Sequence, residues 1–143
     1  MWKKFCGKIA VCLFLMLIIM PVFSLAGCKG QREPDNKTHI DYTVVENADL
    51  PEELKKLIES RKDKVMRLTY TTKDYTYVVA GYGTRDTSGY SIKVNNVYTS
   101  ADAIYIDLNL IGPAADEAVN EVETYPVIVL KMERRDESVV FKM

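Results

Sequence analysis

The sequence predicts an α+β domain over residues 40–143, a curved antiparallel sheet of six or seven strands with one N-terminal helix packed on it. Three observations carry this. Short runs rich in β-branched and aromatic residues recur along the chain, and several alternate apolar with polar. One early stretch has its apolar residues three and four apart instead. The runs follow one another through short polar or glycine-bearing stretches, which suits antiparallel neighbours.

In chain order, residues 40–45 read as a first strand. Asp49, Pro51 and Glu52 then look like a helix start, with Asp49 as cap, Glu52 completing a capping box and Pro51 in the first turn. Leu50, Leu54, Leu57, Ile58 and Val65 follow at helical spacing, so a helix is expected over 50–63. Its acids come early and its bases late, as the helix dipole favours. Residues 66–72 and 75–81 form a hairpin turning at Lys73-Asp74. Residues 90–97 and 103–111 are two more strands. In the second, Ile104, Ile106, Leu108 and Leu110 share one face, and Tyr105, Asp107 and Asn109 the other. Residues 112–124 are a long connection. Residues 126–132, apolar on both faces, suit a central strand, and 138–142 closes the sheet.

Ahead of this domain lies a basic start, Met1 to Lys8, then an apolar run to Phe23 and small residues to Gly27. That is the order of a secretory signal. Leu25-Ala26-Gly27-Cys28 resembles the bacterial lipobox, in which a peptidase cuts before the cysteine and acyl chains are attached to it. The expected organisation is a signal peptide over 1–27, a lipidated Cys28 with a flexible tether over 28–39, and the folded domain over 40–143. The alternative is an uncleaved anchor, since residues 9–27 carry no charge and are long enough to span a bilayer. Both place the domain on the extracytoplasmic side of a bacterial membrane. The polar tether 29–39 would reach at most about 35–40 Å.

Three of the 19 basic residues, Lys3, Lys4 and Lys8, and none of the 20 acidic ones precede Cys28. The mature chain thus has 16 against 20, a net charge of −4, which gives no bias toward nucleic acid. Cys6 and Cys12 fall in the signal, so the domain has no disulfide and no thiolate metal site. His39 is the only histidine, and the paired acids Asp116-Glu117 lie in a connection. No nucleophile sits in a recognisable elbow. The expectation is a protein that is not an enzyme and uses no cofactor, metal or small-molecule substrate.

One loop stands out. Residues 81–90 hold three of the seven glycines and two tyrosines. It is no phosphate loop, because no lysine follows the last glycine and no helix follows the loop. A plain hairpin connection is one reading of it. Gly83, Arg85, Thr87, Ser88, Gly89 and Tyr90, followed by Ile92 and Val94, resemble the C-terminal domain of the PrcB family. Thr124-Tyr125-Pro126, entering Val127-Ile128-Val129, is similar to that family's second block. The resemblance covers residues 75–132; Ser88 stands where a second glycine is commoner. The family is named for a lipoprotein subunit of a spirochaete protease complex. What it implies is an extracytoplasmic domain that associates with or stabilises a secreted protease. The resemblance makes the six loop residues candidates for partner binding and gives Tyr125 and Pro126 a structural role. A second, weaker similarity links residues 86–90 to the inhibitory loop of chagasin-type inhibitors of papain-like proteases, whose immunoglobulin-like fold has no helix near its start.

The expected function is therefore a lipid-anchored binding module with a protein partner, docking through the 82–90 loop or an exposed sheet edge. A protease inhibitor using the same loop and a structural envelope lipoprotein are the alternatives.

Overall fold

The computed structural model describes residues 36–143. The expected signal segment, Cys28 and all but the last four residues of the tether lie outside the described residues. The elements in order are β1 (Thr38–His39), β2 (Thr43–Val44), a 3₁₀ turn (Asn47–Asp49), helix α1 (Glu52–Glu59), β3 (Val65–Thr71), β4 (Tyr75–Tyr82), β5 (Ser91–Ser100), β6 (Ala103–Ile111), β7 (Val127–Glu133) and β8 (Ser138–Lys142). Among the described residues no helix is long and apolar enough to cross a membrane.

The strands form two sheets of four rather than one of six or seven. The outer sheet has the order β1-β5-β6-β8, and the middle sheet β2-β7-β4-β3. The reason lies in how β4 and β7 alternate. Val78 and Ala80 of β4, with Leu130 and Met132 of β7, pack against Val97, Ile104, Ile106 and Leu108 of the outer sheet. Their neighbours Tyr77, Val79 and Val129 point the other way, into a second core with Met66, Leu50, Leu54 and Ile58. The middle sheet is thus covered on both faces, by the outer sheet and by the helix. Each Leu or Ile so enclosed contributes about 1.5–3 kcal/mol by leaving water.

The expected first strand over 40–45 is broken. Thr38 and His39 pair with Thr99 and Tyr98 in the outer sheet, whereas Thr43 and Val44 pair with Lys131 and Leu130 in the middle one. Ile40, 2 % exposed, dives between the sheets as the chain crosses. The last strand is also corrected. β8 lies parallel to β6, the one parallel pair in the outer sheet, because the chain crosses back from the middle sheet after β7. Thr76 fixes that crossing: its hydroxyl donates to Arg135 O at 3.2 Å and accepts from the Arg135 N–H at 2.9 Å. Between Val94 and Asn96 a bulge shifts the register of β5, and Asn95 donates to Asp107 at 3.1 Å. Beyond the bulge β5 stays paired with β6 and runs on to Ser100, opposite Ala103.

The helix is shorter than the expected 50–63. Asp49 is spent in the 3₁₀ turn, Pro51 occupies the N-cap, and no side chain caps the helix. Glu52, expected to close a capping box, pairs with Lys55 at 2.8 Å. The helix stops at Ser60, whose hydroxyl donates to Leu57 O at 2.9 Å. Leu54 and Ile58 are buried as the spacing requires, but Val65 opens β3 and is 64 % exposed. The Lys73-Asp74 turn forms as expected, closed by the Thr72 N–H donating to Tyr75 O at 2.8 Å.

Candidate functional site

The chain passes between the sheets twice at one end of the domain. Residues 83–90 carry it from β4 to β5, and residues 112–126 carry it back from β6 to β7. These two crossings hold the two sequence blocks singled out above, and they are bonded to each other. Arg85 and Thr124 form a small antiparallel bridge, each N–H donating to the other's carbonyl at 2.8 Å. The Ser88 N–H donates to Asn120 O at 3.0 Å, and the Asn120 N–H donates to Ser88 Oγ at 2.9 Å. The Thr124 hydroxyl donates to Thr87 O at 2.7 Å.

The two glycines have separate tasks. Gly83 has φ +74°, and a Cβ there would lie 3.2 Å from Asp63 O and 3.3 Å from Val65 N. It lets the loop pass close to the backbone entering β3, where the Thr84 N–H donates to the same Asp63 carbonyl at 3.3 Å. Gly89 has φ +90°, and a Cβ there would meet Pro113 Cβ at 2.9 Å. Only a residue without a side chain fits both the angle and the contact.

Arg85 ties the loop to its own base. One guanidinium nitrogen, Nη2, donates to Tyr82 O at 3.1 Å, and the group lies 5.7 Å from the Tyr90 ring centre. The Tyr90 ring in turn rests 3.4 Å from where a Gly112 Cβ would be. The Tyr82 hydroxyl and Arg85 Nε are buried without a hydrogen-bond partner among the described residues. Burial raises the Tyr82 hydroxyl above its ordinary value, Arg67 opposes this, and Asp107 adds to it.

All six candidate loop residues thus come together, and most have a structural partner. Gly83 is buried, Arg85, Thr87, Ser88 and Tyr90 are half-buried, and Gly89 and the neighbouring Asp86 are exposed. Pro126 O accepts the Tyr82 N–H at 3.0 Å, and the Tyr125 hydroxyl donates to Glu123 at 3.0 Å, a bond that raises its pKa. The Lys62 ammonium sits 4.8 Å from the Tyr125 ring centre and pairs with Glu59. His39 is exposed in β1. Glu117 accepts the Ala114 N–H at 3.1 Å, closing a turn. Among the described residues no group of three or more His, Cys, Asp and Glu side chains is placed to hold a metal ion.

Residues 76–133 match the family model of the PrcB C-terminal domain. The matched segment begins at the second residue of β4 and ends with β7, so it holds the two central strands of the middle sheet, both crossings and the β5–β6 hairpin. The hydrogen-bonded loop pair is therefore internal to the segment that matches this model, while α1, β3 and β8 lie outside it. Comparison with curated proteins and with solved structures returns no match.

Sequence reasoning missed a groove beside Tyr125. It measures about 520 Å³ and is lined by Leu50, Ile58, Lys55, Lys62, Val127 and Val129, among others. It exists because β2 covers β7 only as far as Val45, whose N–H donates to Val129 O at 3.0 Å. No local pattern announces it, since the helix and β7 are nearly seventy residues apart in the chain.

Proposed function

We propose that the protein is an extracytoplasmic binding module, held to a bacterial membrane by lipid on Cys28, that docks a partner protein through the loop pair 82–90 and 112–126. It binds and does not catalyse. The Leu25-Ala26-Gly27-Cys28 pattern supports the anchor. The single observation behind the docking reading is the mutual fastening of the two crossings, centred on the Arg85–Thr124 bridge. A loop already held in one conformation loses little entropy on binding. The PrcB resemblance makes a secreted protease the partner class.

The test is capture from detergent-solubilised membranes with the native chain and with Asp86→Lys. Asp86 is exposed, and no bond of the loop depends on it in the geometry above. A secreted protease retained by the native chain and lost with the variant supports the proposal. Equal capture by both removes the loop from the contact. The fixed form of the same loop also favours the inhibitor reading, which a protease assay with the captured enzyme separates: inhibition at micromolar protein supports it, and undiminished turnover removes it. Mass spectrometry of the native protein tests the anchor, with acylated Cys28 as the new N-terminus expected.

A further inference from the structure

The middle sheet ends at β3, and nothing among the named strands pairs with the far side of that strand. Among the described residues β3 is the longest edge strand. β1 and β2 have two residues each and β8 has five, against seven here. Residues 65–72 contain no proline, no glycine and no bulge, and Arg67 is their only charge. Those are the features by which edge strands normally avoid pairing, and β3 lacks them.

The direction of its free groups follows from the ladder. Thr72 bonds Tyr75, so Tyr70, Leu68 and Met66 bond across to β4 in turn. The N–H and C=O groups of Val65, Arg67, Thr69 and Thr71 then point away from the sheet. We propose that this edge pairs antiparallel with the same edge of a second copy, about a two-fold axis at Leu68, joining two middle sheets into one of eight strands.

The pattern of side chains selects both the partner and the register. With the axis at Leu68, Val65 lies opposite Thr71 of the second copy, and Arg67 opposite Thr69. The two copies then share about eight backbone hydrogen bonds. Leu68 meets Leu68, and Met66 meets Tyr70, which continues the apolar face beneath the helices. Sliding the axis to Arg67 would set two guanidinium groups face to face, which disfavours that register. Arg67 itself is held to the inter-sheet side by donating to Met143 Sδ at 3.2 Å, clear of the seam. The edge is therefore self-complementary in hydrogen bonds, charge and apolarity. A two-strand seam is a small interface, so the affinity falls in the micromolar range.

The experiment uses the full chain in density-matched detergent, followed by sedimentation equilibrium from about 1 to 100 μM, the range in which so small an interface dissociates. A monomer–dimer equilibrium is expected. Thr69→Pro removes an outward N–H without touching the ladder to β4, and should weaken association at least about tenfold. Leu68 pairs with itself at a Cα separation of about 4.5 Å, within disulfide range. Leu68→Cys should therefore cross-link under mild oxidation well above the native chain, and Asn109→Cys, on the exposed face of β6, should not. A native chain that stays monomeric over this range overturns the proposal. So does a dimer that Thr69→Pro leaves unchanged, or Leu68→Cys cross-linking no better than Asn109→Cys. Capture of a different protein along this edge in place of a second copy overturns it as well.

Discussion

The two sheets solve different problems with similar residues. The outer sheet buries one face: β6 alternates Ile104, Ile106 and Leu108 inward with Tyr105, Asp107 and Asn109 toward solvent. The middle sheet buries two, and β4 is enclosed without a break from Thr76 to Gly81. A strand wet on one side writes its orientation into a period of two. A strand covered on both sides writes only a run of apolar residues, which fixes its depth and not its neighbours. That is why β6 was legible residue by residue, and why β7 could be placed centrally without its partners being known.

If the middle sheet is held from both sides, truncations in either core should hurt alike. Ile106→Ala, between the sheets, and Leu54→Ala, beneath the helix, should each destabilise by about 2–5 kcal/mol in urea unfolding. Asn109→Ser, on the wet face, should stay within about 0.5 kcal/mol. A small loss at Leu54 would demote the helix to a loose cover. The loop pair comes next. Gly89→Ala must take up φ +90° and press on Pro113, a cost of about 1–3 kcal/mol in the same assay.

A smaller effect of opposite sign lies in the outer sheet. Ala101 holds φ +54° in the turn joining β5 to β6, where glycine is at ease. Ala101→Gly should therefore stabilise by about 0.5–1 kcal/mol. The smallest is a pH effect at the junction of the sheets. The Tyr82 hydroxyl titrates above its ordinary value in the folded state, so the unfolded chain loses its proton first. Its contribution is whole below about pH 10 and fades as pH rises through the folded value. Tyr82→Phe should make the melting temperature fall less steeply above pH 10 than the native chain's does.

Much of the fold could be read in the chain, and what could not has identifiable causes. The strands of the matched segment and the helix stripe Leu54-Ile58 follow from local period. The division into two sheets does not, because it depends on which residues cross: Ile40 looks like strand interior yet is the point where the chain changes layer. The 40–45 run misled for that reason. Ala101-Asp102 is a two-residue turn without the glycine or asparagine that signals one. In the candidate site, Gly83 and Gly89 announced unusual backbone, and both have positive φ. What they serve, a clasp onto Asn120 and Thr124 more than thirty residues on, is a long-range fact that no single stretch contains.

Native-state hydrogen exchange tests the layered arrangement most directly. Every β4 amide from Thr76 to Gly81 faces a partner in β3 or β7 and lies under cover on both sides. These amides should exchange only on global unfolding, slowest in the chain, while those of β1 and β2 open locally and exchange far faster. Exchange of the β4 amides at rates matching β1 and β2 would contradict a middle sheet enclosed by two cores.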